Sequence, residues 1–176
     1  MAKKDFLRDF IICIALFLIM FSTRTLMAPN FHDIGNPDAA WAAMQTEYLI
    51  KHGYQYPYND TKTLFPIGRI YYPNQIGWWF VGAVGYKIAA FITGTTGFDQ
   101  QLLTTVMMWL SAIMSSLAAP FIFLLIRELF GIEAGILAAL FLCFYIPTFY
   151  YTSYGNPEND GLGLALFFGG LWAFVR

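Results

Sequence analysis

Residues 102–126 read LLTTVMMWLSAIMSSLAAPFIFLLI, with no charged side chain between Leu102 and Ile126. As a helix, a run of this length crosses a hydrocarbon core of about 30 Å. The rest of the chain agrees. Of its 176 residues 58% are hydrophobic and only 12% are charged, so a water-soluble globule would lack the charge to cover its surface. The sequence therefore predicts an all-α, polytopic transmembrane protein. A net charge of -1 supplies no basic face for nucleic acid.

Working outward, Lys3, Lys4 and Arg8 precede an apolar run from Phe10 to Phe21. A secretory leader would look similar, but Leu26-Met27-Ala28 lacks the small residue expected three positions before a cut. We read an uncleaved first span over 6–27 with its basic end in the cytoplasm. Arg24 is expected to snorkel to the membrane boundary. Residues 28–100 form a large first loop with short interfacial helices. One of these is predicted over Asp38–Lys51, with Gly53 as its stop, and with Trp41, Met44, Tyr48 and Leu49 as its apolar face. Further spans are expected over 101–127, 133–154 and 157–176, about four in all within a single membrane domain over 1–176. Pro120 and Pro147 are expected to kink their helices. Asn156 is a good cap and Pro157 a good first residue for the last helix. The chain ends where that helix would leave the bilayer and looks like the front portion of a longer protein.

Ile76–Ile92 is ambiguous: it is apolar but short, and contains Lys87 and three glycines. If it spans, Asp38 and Glu158 face opposite sides of the membrane. If it lies in the interface, both are external. The external reading puts five of the ten Lys and Arg residues inside, the spanning reading four, so the positive-inside rule favours the first only slightly.

Two acidic groups stand beside these apolar segments. Asp38 follows Asn36-Pro37, and Glu158-Asn159-Asp160 opens the last helix. Each has a structural reading, as a carboxylate stabilising a helix N-terminus. Each also has a chemical one, because carboxylates are the ligands that Mn²⁺ and Mg²⁺ prefer. Arg69 suits either a phosphate or a structural carboxylate pair. Other residues are less informative. His32 and His52 lack metal-ligand spacing. Cys13 and Cys143 sit inside apolar runs and read as small core residues. Tyr54, Tyr56, Tyr58, Tyr71 and Tyr72 suit sugar stacking or headgroup anchoring equally. Asn59-Asp60-Thr61 is a glycosylation sequon.

The loop string continues from Thr46-Glu47-Tyr48-Leu49-Ile50-Lys51-His52-Gly53 through Leu64-Phe65-Pro66-Ile67-Gly68-Arg69 to Tyr72-Pro73. Glu128-Leu129-Phe130-Gly131, Ala134-Gly135-Ile136-Leu137-Ala138-Ala139, Ser153-Tyr154-Gly155 and Glu158-Asn159-Asp160 follow. In this order the chain resembles the amino-terminal part of an oligosaccharyltransferase catalytic subunit, a polytopic enzyme of the GT-C class. The resemblance implies transfer of a glycan from a polyprenyl or dolichyl (pyro)phosphate lipid to asparagine in Asn-X-Ser/Thr, at the external or lumenal face of the cell or endoplasmic reticulum membrane. It implies that Asp38 binds a divalent metal, Mn²⁺ or Mg²⁺, and helps hold the acceptor polypeptide. By the same resemblance Glu158 is a second metal ligand, Asp160 lies near the donor phosphates, and 76–92 belongs to the first external loop. Met44 departs from the basic residue of many relatives. The family's third metal-binding carboxylate and its Trp-Trp-Asp-Tyr-Gly motif would lie downstream of Arg176, so the segment alone is expected to be inactive.

Lipid-phosphate-dependent monosaccharide transferases share the first-loop acid, but usually as Asp-Glu. Here Asp38 is followed by Ala39. A transporter or scaffold would need polar residues lining a path through the membrane, and the spans offer only Ser, Thr and single Gly positions, with charge confined to their boundaries.

Overall fold

The computed structural model describes residues 3–26, 34, 37–55, 59–60, 67, 69–70, 76–156 and 158–176, with the side chains of 3–5, 59–60, 69–70 and 150 outside that description. The described chain is helical apart from one two-residue pairing. In order it runs α1 (Lys3–Thr25), α2 (Pro37–Lys51), β1 (Asn59–Asp60), β2 (Arg69–Ile70), α3 (Ile76–Thr93), α4 (Gln100–Ser116), α5 (Ala118–Phe130), α6 (Ile132–Phe144), α7 (Ile146–Thr152) and α8 (Asp160–Val175). The strands β1 and β2 are antiparallel, with Asn59 opposite Ile70 and Asp60 opposite Arg69.

Three helical stretches are long and apolar enough to cross a membrane: Phe6–Thr25, Ile76–Thr93 and Gln100–Phe130. Ile132–Phe144 and Asp160–Val175 are shorter apolar helices. Large apolar side chains such as Leu18, Leu137, Phe141, Phe167 and Phe174 point outward and are exposed. For a soluble protein this would be an aggregation surface; for an integral membrane protein of GT-C type it is the face that meets lipid.

Both prolines lie beside helix interruptions. Pro120 has no N–H for the Ser116 carbonyl, and the helix is interrupted at Leu117 between α4 and α5, though Leu117 stays helical at φ -66 and ψ -20 and Gln100–Phe130 continues as one stretch. Before Pro147, α6 ends at Phe144 and Tyr145 is extended at φ -71 and ψ 110, which places Pro147 in the first turn of α7, a position that suits it. The stretch 133–154 is thus two helices rather than one. The 13 residues of α6 rise about 20 Å, and α7 turns away from them. α8 also starts later than the sequence suggests. Its first residue is Asp160 and its cap is Asn159, which makes no side-chain cap bond. Ahead of it, Gly155 has φ 85 and the Glu158 N–H donates to Asn156 O at 2.7 Å. Those residues are turning, so Glu158 precedes the helix instead of lying in its first turn.

Helix α2 matches the expected one, and its end explains itself. Gly53 and Tyr54 take φ 63 and 67, and the Tyr54 N–H reaches back to Leu49 O at 2.8 Å, which closes the last turn. Its packed face differs from expectation. Ala39, Ala42, Ala43, Gln45, Thr46 and Leu49 are buried, while Met44 is exposed. Small side chains let α2 lie close to α3 and α4: a Cβ on Gly82 would stand 3.0 Å from Thr46 and 2.6 Å from Met107 Sδ.

The helices divide between two apolar cores. Leu16, Met20, Phe123, Ala139, Cys143 and Ala165 join α1, α5, α6 and α8. Leu49, Trp78, Trp79, Leu103 and Met107 join α2, α3 and α4. Gly131, at φ 93, turns α5 directly into α6. Gly161 brings α8 against α4, where a Cβ would lie 3.0 Å from Ser115 and 3.1 Å from Ser111 O. This is the close small-residue packing that membrane helices use.

Candidate functional site

Contacts fix which helix ends lie together. At one end Arg127 of α5 pairs with Asp9 of α1 at 2.8 Å, and with Glu128 at 3.1 Å. At the other, the Tyr154 N–H donates to Arg24 O at 3.0 Å, Phe21 stacks on Trp109, and Trp109 meets Tyr154 edge-on. The N-terminal half of α4 continues past this end and carries α2 and α3.

The second acidic group belongs to the Arg24 end. Glu158 is half-buried in the turn before α8, and Asp160 is exposed at the helix start, where an anion is favoured by the helix dipole. Asp160 borders a cleft of about 410 Å³ together with Thr148, Tyr151, Thr152 and Asn159. The walls of the cleft come from α7 and α8.

Asp38 is exposed in the first turn of α2. One turn on, Ala42 enters the α2–α3–α4 core, and Ile34, Met114 and Leu162 pack on that same core. The beginnings of α2 and α8 thus rest on one body centred on α4. Arg69 lies in β2, and its side chain is outside the described residues, as are His32, Tyr56, Tyr58, Tyr71, Tyr72 and Thr61 of the sequon. His52 stacks on Tyr48 at 3.9 Å and its Nδ1 lies 2.9 Å from Tyr48 O, a local arrangement that accounts for it. Both cysteines are free, with Cys143 buried.

Among the described residues no three His, Cys, Asp or Glu side chains gather as a metal cage. Two carboxylates such as Asp38 and Glu158 are a fitting but partial set for a hard cation. The ion's remaining oxygen ligands would come from phosphate, water or other carboxylates.

Sequence reasoning missed the polar lattice behind the cleft. Arg24 was expected to snorkel outward, yet it is 0% exposed. Its Nε donates to Thr152 Oγ1 at 2.8 Å and its Nη1 to Cys143 O at 3.0 Å. An ionisable residue inside an apolar helix is the feature that could have marked it, since such groups face a partner in the protein interior.

A family model described as "Oligosaccharyl transferase STT3, N-terminal" matches residues 42–176. The match takes in Glu158 and Asp160, and begins after Asp38. No curated protein matches the chain.

Proposed function

The chain belongs to the oligosaccharyl transferase STT3 family, and from that premise we propose that it moves a glycan from a polyprenyl (pyro)phosphate lipid to the asparagine of an Asn-X-Ser/Thr acceptor. Membership makes it the amino-terminal region of an integral membrane glycosyltransferase. The observation that carries the finer reading is the position of Glu158-Asn159-Asp160. This acidic turn lies inside the matched region, with Asp160 at the cleft between α7 and α8.

In this reading Asp38 and Glu158 hold Mn²⁺ or Mg²⁺. The ion, when bound, supplies a Lewis acid against which the lipid phosphate departs. Asp160 borders the space for the donor phosphates, with Arg69 as a second contact to them. In the transfer, the acceptor nitrogen bonds to the anomeric carbon, the bond from that carbon to the phosphate oxygen breaks, and the amide proton leaves to water or the departing phosphate. Asp38 accepts a hydrogen bond from the acceptor amide and aims its nitrogen at that carbon, a positioning contribution.

The helix ends support one side of the membrane for both acidic groups. The pair between Asp9 and Arg127 puts the start of α1 and the end of α5 at one face. Between them the chain crosses along α1 and back along α4–α5, which supports the reading that α3 makes no net crossing. With the basic amino terminus cytoplasmic, Asp38 and Glu158 are both external or lumenal.

Ala39 supports this reading over the monosaccharide enzymes. It is 0% exposed, so the Glu that usually follows Asp in that group would enter the packed face of α2.

The test is peptide glycosylation by full-length protein carrying Asp38→Asn or Glu158→Gln. We expect turnover to fall at least about a hundredfold in each, the scale on which single ligand-shell groups act. Unchanged turnover in either removes that residue from the site.

A further inference from the structure

We propose that Arg24 is a positioning residue for the second acidic group: its guanidinium fixes the elbow between α6 and α7, and through it the turn that bears Glu158 and Asp160. The inference rests on the reading of that turn as part of the transferase site.

A buried cation survives only where its donors are satisfied. Nε and Nη1 of Arg24 are bound as described above; Nη2 donates to Thr148 Oγ1 at 3.2 Å and to Leu142 O at 3.4 Å. The ring of Phe149 lies 5.2 Å from the guanidinium carbon. Leu142 and Cys143 present carbonyls from the last turn of α6, the negative end of its dipole. The Cys143 carbonyl lies in the last turn of α6, where no further helical N–H follows once the chain turns at the extended Tyr145. The break between α6 and α7 thus forms the socket that the arginine fills.

Arginine carries no acceptor, so the direction of each hydroxyl follows. Thr152 Oγ1 accepts from Nε and donates to Thr148 O at 2.5 Å. Thr148 Oγ1 accepts from Nη2 and donates to Tyr145 O at 2.9 Å. Both hydroxyl protons are thereby directed to backbone carbonyls, those of Thr148 and Tyr145. Arg24 therefore acts on the segment that lines the cleft and is not itself a donor-binding group. Two further bonds tie that segment down: Tyr154 N–H to Arg24 O, and Ser115 Oγ of α4 to Thr152 O at 3.2 Å. Residues 152–154 are held to α1 and α4 just ahead of Glu158. Lysine could supply the charge but not the fork that reaches α6 and α7 together.

The experiment uses full-length protein in detergent with Arg24→Met and Arg24→Lys, each first established as folded by its melting transition and its size. Hydrogen exchange is followed over 148–160 without metal or substrate, and peptide glycosylation is then titrated with Mn²⁺. In both variants exchange over 148–160 rises while α3 is unchanged. The half-activating Mn²⁺ concentration rises about tenfold, the scale on which outer partners of metal ligands act, and kcat falls at saturating donor. Thr152→Val deletes one acceptor without removing the buried charge. It gives the same changes to a smaller degree and keeps the test open if Arg24→Met does not fold. Wild-type exchange over 148–160 in a folded variant overturns the proposal, and so does an unmoved Mn²⁺ titration and kcat. Full recovery by Arg24→Lys overturns the role of the fork. Failure of the underlying site reading is seen elsewhere, as wild-type turnover in Asp38→Asn and Glu158→Gln, whatever the Arg24 variants do to exchange.

Discussion

Asp9 and Arg127 are 118 positions apart in the sequence, yet their side chains meet at 2.8 Å with exposures of 5% and 13%. This pair places the entry of the first helix beside the exit of α5. Among the described residues, α2 and α3 pack on α4 at the other end of the bundle, the end of the acidic groups of the proposed site.

Breaking that pair is expected to be costly. Among the described residues, Asp9→Asn leaves Arg127 with Glu128 as its ion-pair partner, and Arg127→Met leaves Asp9 with Arg8 at 3.4 Å. Each single change should lower stability by about 2–4 kcal/mol, as for other largely buried pairs that lose one partner. Thermal or denaturant unfolding in detergent measures this. The double variant should cost clearly less than the sum of the singles; simple additivity contradicts a direct pair.

Labelling tests the placement of α3. Thr96, in the turn after α3, and Glu133, at the start of α6, are both exposed. With Cys13 and Cys143 replaced by Ser, Thr96→Cys should react with a membrane-impermeant maleimide added outside sealed cells or vesicles, and Glu133→Cys only after permeabilisation. The reverse pattern, or both residues labelling from one side, contradicts the assigned path.

Two glycines should respond in opposite directions. A Cβ on Gly135 would stand 2.8 Å from the carbonyl oxygen of Phe123, while one on Gly170 meets nothing within 4 Å. Gly135→Ala must push α6 off α5, at a cost of about 1–3 kcal/mol. Gly170→Ala should gain up to about 1 kcal/mol from helix propensity. Melting temperatures of the two variants check both signs.

Much of this architecture is legible in the residues. The unbroken run at 102–126, the helix at 38–51 and the effects of Pro120 and Pro147 follow from hydrophobicity and backbone chemistry. What is lost lies in contacts between distant segments. The apolar face drawn on α2 holds at Leu49 and Trp41, which join the core, but Met44 is exposed because close packing against Gly82 rewards alanine and threonine over bulk. The start of α8 moves because the turn at Gly155 absorbs residues that locally resemble a helix cap. Arg24 reads as a boundary residue because nothing near it in sequence reveals the carbonyls that the end of α6 presents more than a hundred positions later. The acidic groups themselves are visible, but their placement on one body centred on α4 needs the fold.

Whether Asp38 and Glu158 share one divalent ion is tested most directly by Mn²⁺ binding to full-length protein, followed by electron paramagnetic resonance. We expect one tight site in the wild type. Asp38→Asn and Glu158→Gln should each weaken it at least about tenfold, and the double variant should weaken it by less than the product of the two effects. Wild-type affinity in either single variant, or two fully independent effects, would contradict a shared ion.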